Sequence, residues 1–129
     1  MSIKIDVSVG EIMDKLTILE IKTEKIKDEA KLANIRKERD SLLPVINLPA
    51  YQTEEVRRLV ATLKEINLKL WDIEDDIRQK EAKKSFDERF IELARAVYFT
   101  NDKRAAVKKQ INQITGSELV EEKSYEEYS

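Results

Sequence analysis

Apolar positions along this chain fall into two rhythms. From Met1 to Val9 they alternate: Ile3, Ile5, Val7 and Val9 against Lys4, Asp6 and Ser8. Period two predicts a short strand over residues 1–8. Such a strand needs a partner for its backbone groups. It pairs with the C-terminal tail, pairs across a dimer, or lies as extended chain on the rest of the molecule. From residue 9 onward the period becomes helical. Ser8-Val9-Gly10-Glu11 reads as a capping box. Ile12, Leu16, Leu19, Thr23 and Ile26 then step by four and three, with Met13 and Ile18 widening the stripe. Asp28 either caps a second helix or dents a continuous one. Leu32, Ile35, Arg39, Leu42 and Ile46 extend the pattern. Pro44 disfavours helix at the residue before it, so this stretch is expected to stop at Leu42 or Leu43.

Residues 44–52 hold both prolines and form the predicted loop. Thr53 is the next candidate cap, with Glu54 and Glu55 where the helix dipole favours anions. The third helix has the strongest pattern. Val56, Leu59, Leu63, Ile66, Leu70, Ile73 and Ile77 are apolar at every step of three and four, which is a bundle or coiled-coil seam. Ser85-Phe86-Asp87-Glu88 reads as another capping box. Phe86, Phe90, Leu93 and Val97 carry the seam into helix four. Thr100 and Arg104 then interrupt it, and Val107, Ile111 and Ile114 resume in phase, so one helix with a polar middle is predicted. Gly116 suits the position just past its end.

These elements predict an all-α fold: an elongated antiparallel bundle of three or four long helices in a single domain, residues 1–129. An extended N-terminal segment spans 1–8 and an acidic tail spans 117–129. A third helix of about 30 residues would be about 45 Å long. A compact domain of this size has a radius of gyration near 14 Å, so the shape is elongated and a homodimer is expected.

Composition narrows the chemistry. The 129 residues contain no His and no Cys. That excludes Ser-His-Asp and Cys-His catalysis, disulfides, zinc–thiolate sites and imidazole ligands. Lys and Arg number 24 and Asp and Glu 26, a net charge of −2. The tail holds five glutamates against Lys123, an acidic end on a near-neutral body, so nucleic acid is not an expected partner. No run approaches about 18 apolar residues, and the N-terminus has no basic, long apolar leader. A cytoplasmic protein without membrane insertion is expected.

Candidate chemistry lies beside the seams. Asn67, Trp71, Glu74, Arg78 and Glu81 form one row on helix three, with Asp75 and Asp76 adjacent. Ala94, Tyr98, Asn101, Ala105, Lys108 and Asn112 form a row on helix four, with Asp102 and Arg104 level with its middle. A short turn near Lys84 makes these helices antiparallel neighbours, so the rows can meet. Helix one offers Asp14, Lys15, Thr17 and Glu20. The pattern suits a small anionic ligand, a nucleotide, sugar nucleotide or phosphate. Arg78, Arg95, Arg104 and Lys108 would meet the anion, Trp71 and Tyr98 would stack, and Asn67 and Asn101 would orient it. Glu74, Asp75 and Asp102 complete the candidate set. A plain reading stands beside this one. A Trp beside a leucine seam is ordinary core, Glu74 with Arg78 is an ordinary i,i+4 pair, and a polar layer can fix register and dimer assembly with no ligand. A third reading is a Mg²⁺-dependent phosphate-ester or anhydride hydrolase using Glu74 and Asp75. Adjacent carboxylates point to different faces of a helix, so no metal site, and no cofactor, is assigned.

Four segments carry a resemblance: Val9–Leu19, Asn67–Asp75, Leu93–Tyr98 running into Asn101-Asp102-Lys103-Arg104, and Glu121–Tyr125. Through them the chain resembles a family of small bacterial helical proteins known only as a domain of unknown function. The resemblance implies a bacterial or phage source and genes near glycosyltransferase and surface-polysaccharide functions. It implies no established activity and no catalytic residue. The all-helical nucleotide pyrophosphohydrolases are a looser comparison, and their full carboxylate pattern is absent here.

Overall fold

The computed structural model describes residues 1–128. Four helices account for the regular structure: α1 (Val9–Lys25), α2 (Glu29–Ile46), α3 (Glu54–Ala82) and α4 (Glu88–Thr115). A 3₁₀ turn over Pro49–Tyr51 joins α2 to α3. α1 packs against each of the other three helices, and α3 and α4 run along each other. The bundle is therefore built around α1.

Local chemistry sets the ends. The Ser8 hydroxyl accepts from the Glu11 N–H at 3.2 Å and starts α1. Half of the expected capping box forms, since Glu11 sends its carboxylate to Lys108 instead. Asp28 accepts from the Ala30 and Lys31 N–H groups, so two helices stand here, not one. Thr53 caps α3 through the Val56 N–H. α4 begins two residues later than the capping-box reading placed it. Asp87, not Ser85, is the cap, accepting from the Phe90 N–H at 2.9 Å. Lys84 takes a left-handed φ of 53° and lets the Ser85 N–H reach the Lys80 carbonyl at 2.9 Å. That closure consumes Ser85 as the end of α3. Gly116, with φ 64°, closes α4 in the same way.

Pro44 does not end α2. The helix runs two residues beyond it, to Ile46. Pro44 cannot donate, but only the last turn is affected, and the Asn47 N–H bonds the Leu43 carbonyl at 2.9 Å. The extension buries Ile46 in the core, and the Gln52 amide caps its carbonyl at 2.7 Å.

The main core joins Met13, Leu16, Ile46, Val56, Leu63, Val107 and Ile111, and a smaller cluster joins Leu19, Leu32 and Ile35. The seam of α3 lies on the core side along its length, and Thr100 keeps its seam place in α4 by being buried. Phe86 and Ile114 leave the predicted seam and are exposed. Phe86 precedes the helix and meets Phe90 edge-on.

The predicted strand is not formed. Residues 1–8 carry no regular structure, and no strand occurs among the described residues. The C-terminal segment, 117–128, begins beside them, with the Val9 N–H donating to the Ser117 hydroxyl at 3.2 Å, but no backbone–backbone hydrogen bond joins the two segments. The C-terminal segment turns back along α4 through Lys108–Glu121 at 3.1 Å and Lys123–Asp102 at 2.9 Å. The last residue of the predicted acidic tail, Ser129, lies outside the described residues. No helix among the described residues is long and apolar enough to cross a membrane.

Candidate functional site

The polar positions of three helices converge on Asp14. Its residue is 1% exposed, beside Thr17 at 0%. Helix α1 buries both because it is packed on several sides, so residues off its apolar stripe also lose their water. A carboxylate in that position needs partners. Arg104 supplies two: Nε donates to Oδ1 at 2.9 Å, and Nη2 donates to Oδ2. Asn67 Nδ2 donates to Asp14 Oδ1 at 2.9 Å and to Thr17 Oγ1 at 2.8 Å. Thr17 in turn donates to the Asp14 carbonyl at 2.7 Å. Lys108 Nζ stands 3.9 Å from Asp14 Oδ2 and bonds Glu11 at 2.8 Å. Every buried side-chain nitrogen and oxygen among the described residues has a partner.

The charges are tuned accordingly. The hydrogen bonds from Arg104 to Asp14 raise the guanidinium above its ordinary value, against the opposing effect of burial. Burial pulls the Lys108 ammonium down. The hydrogen bonds to Glu11 and Glu121 and the charge of Asp14 outweigh it, and the net direction is up. Both groups stay cationic.

Close packing holds this layer. The Gly10 N–H donates to Asn112 Oδ1 at 2.7 Å. A Cβ on Gly10 would lie 2.6 Å from the Lys108 carbonyl oxygen. α1 and α4 can approach so closely only with glycine there.

Beside the layer lies an open groove of about 570 Å³, within the range of small-molecule sites. Seven of the sequence-predicted residues line it: Asn67, Trp71, Glu74, Asp75, Arg78, Asn101 and Arg104. Ile18, Ile21 and Leu70 supply its apolar lining. Arg104 uses Nε and Nη2 on Asp14, and its Nη1 makes no hydrogen bond among the described residues. Glu74 accepts from Arg78 Nε at 3.3 Å, and Asp75 accepts from Gln79 at 2.9 Å.

Four predicted residues do not join the groove. Arg95 lies over the Phe99 ring, 5.7 Å from its centroid. Tyr98 stacks with Phe99 and Tyr128. Asp102 holds Lys123 and accepts from the Tyr128 hydroxyl. Lys108 faces Glu11 and Glu121 on the α1 side of α4. The C-terminal segment takes up Tyr98, Asp102 and Lys108 through Tyr128, Lys123 and Glu121. Asp14 is the residue that sequence reasoning left out of the site. An acid between Met13 and Leu16, within an apolar stretch, was the available signal. Among the described residues no three acidic side chains gather in one cluster.

Fold and site together define a class: a small helical bundle with a buried, self-satisfied polar layer that opens on one side into a groove. Within that class the chain belongs to a family of unknown function (DUF6165), whose family model matches residues 3–128. No match was found among the curated proteins or among the solved structures.

Proposed function

We propose that this protein is a binding module for a small anionic ligand, a sugar nucleotide, nucleotide or sugar phosphate, held in the groove between α3 and α4. One observation carries the reading: Trp71, Asn101, Glu74 and Arg104 reach the same open groove. The roles follow from their chemistry. Trp71 gives a face for a base or sugar ring. Arg104, held by Asp14, presents its remaining N–H groups to a phosphate without having to be ordered first. Asn101 and the carboxylates of Glu74 and Asp75 suit hydroxyls and amines. The mixed charge of the groove favours a ligand with both phosphate and hydroxyl groups over a bare anion.

Trp71 is the one tryptophan of the chain, so its fluorescence reports directly on the groove. Titration with nucleoside phosphates, sugar nucleotides and sugar phosphates is expected to change it and to raise the melting temperature, more weakly in Asn101→Ala. No response to any of them at millimolar concentration ends the reading.

The self-satisfied layer supports a second reading, a scaffold whose polar groups only set helix register and assembly. It predicts that Asp14→Leu with Arg104→Met leaves assembly intact and that no ligand responds. The hydrolase reading rests on Glu74 and Asp75 alone, each already engaged by a neighbour, and is the weakest of the three. We place the protein in a bacterial cytoplasm and take its working form as a homodimer. Supporting the dimer is an accessible surface of 9339 Å², against about 7,100 Å² expected of a compact monomer of this mass.

A further inference from the structure

The segment before α1 has an unusual combination of properties. Ile3 is 86% exposed and Ile5 75%, yet their alternation is that of a half-buried strand. No backbone hydrogen bond ties residues 2–7 to any described part of the chain. The segment thus has the sequence of a strand and lacks the neighbour that would make it one.

We infer that Ser2–Ser8 pairs antiparallel with the same segment of a second copy, making a two-stranded ribbon across a two-fold axis. This rests on the dimer proposed above, and it names the surface. The argument is one of register. A two-fold axis at Ile5 places Ile5 opposite its own copy, Ile3 opposite Val7, and Ser2 opposite Ser8. Lys4 then lies opposite Asp6, twice. One face of the ribbon carries Ile3, Ile5 and Val7 from both chains, and the other carries two complementary ion pairs. Opposite charges directly across a ladder stabilise it, and like charges destabilise it.

The alternatives are worse. An axis at Lys4 puts two lysines opposite each other, and an axis at Asp6 does the same with two aspartates. Moving the axis by half a residue pairs apolar with charged side chains and sends them to opposite faces. Only the axis at Ile5 is complementary in both charge and polarity, and an isologous dimer requires such self-complementarity.

The bundle offers the apolar face somewhere to go. Ile5 and Val7 already border a depression lined by Val45, Tyr51 and Leu119, and Val45 and Leu119 are exposed. A lone two-stranded ribbon is marginal in water, and packing on a hydrophobic surface is what makes it stable. Ser8 lies about 10 Å from the axis at the rise of a strand, so each chain leaves the ribbon directly into its own α1. Both bundles then flank the ribbon.

The test combines oligomeric state with charge reversal. Sedimentation of the full chain is expected to give a dimer. Lys4→Asp and Asp6→Lys, each placing like charges across the ribbon, should each raise the dimer dissociation constant about tenfold or more. The double variant Lys4→Asp/Asp6→Lys restores opposite charges and should restore the dimer. Because the chain has no cysteine, Ile5→Cys adds a single thiol at the axis, and a short thiol cross-linker should join it to its copy. The same change at Lys31, on the exposed side of α2, should not link. A monomeric wild type overturns both the dimer and the ribbon. A dimer indifferent to the single reversals, or not restored by the double one, keeps the dimer and overturns the ribbon.

Discussion

Asp14 and Arg104 stand 90 residues apart in sequence and form a two-pronged ion pair at the junction of α1 and α4. Asp14 is the buried member and Arg104 the half-buried one. Asp14 also accepts from Asn67 of α3, so a single carboxylate ties three helices together. A buried charge pair of this kind adds little net stability over a well-packed apolar pair. Breaking one side of it is a different matter.

Asp14→Ala should therefore cost about 3 kcal/mol, because Arg104 and Asn67 lose their acceptor inside the bundle. Arg104→Leu should also destabilise, by stranding the Asp14 carboxylate. The double change Asp14→Leu/Arg104→Met should recover most of the loss. Urea denaturation of the four proteins measures this. Singles as stable as the wild type would remove the ion pair from the account of the layer.

Gly10→Ala should cost about 1–3 kcal/mol through overpacking, since the new Cβ would press on the backbone of Lys108. Gly116→Ala is a useful contrast. Nothing lies within 4 Å of its Cβ position, and its cost is that of a left-handed φ, about 1–2 kcal/mol. Thermal denaturation of each variant compares the two. In Gly10→Ala the separation of α1 and α4 should also disturb the groove, and Trp71 fluorescence should report it.

The Lys80 ammonium and the Phe90 N–H hold the Asp87 carboxyl down at about 2, from an ordinary 3.8. The folded value is the lower one, so the charged carboxylate stabilises the fold above the unfolded value. That stabilisation fades as pH falls from about 4 toward 2. Asp87→Asn keeps a cap but lacks the charge. The wild type should be the more stable protein at pH 6, and the gap should close as pH is lowered to 2. A gap that stays constant with pH would mean that the Asp87 charge does not contribute.

The C-terminal segment is held by Asp102. Its carboxylate accepts from the Tyr128 hydroxyl and pushes that phenol up to about 12 from 10.0. It also pairs with Lys123. Asp102→Ala should return Tyr128 to ordinary ionisation, visible in an alkaline ultraviolet titration. It should also speed proteolytic clipping after Lys123. A titration curve identical to the wild type would show that the segment is not docked through Asp102.

Much of this protein is legible in one dimension. The heptad of α3, the caps at Ser8, Asp28 and Thr53, and the stop at Gly116 depend on residues within a few positions of one another. Local periodicity and local hydrogen bonds carry that information, and seven groove residues follow from it because α3 and α4 are joined by a short turn. What sequence spacing does not carry is which side of a helix stays dry. α1 packs against three neighbours, and that alone buries Asp14 and Thr17 and gives Arg104 its partner. Nor does spacing carry the partners of Lys108, Tyr98 and Asp102, which lie outside the groove. Glu11 meets Lys108 once α1 packs on α4, and Glu121, Lys123 and Tyr128 make their contacts only once the C-terminal segment folds back. Pro44 likewise reads as a stop until Ile46 has a core to enter. Periodicity determines helices and their apolar faces because it is a property of neighbours. The polar layer and its groove are decided by packing, because a charge is buried or solvated only by what comes to lie against it.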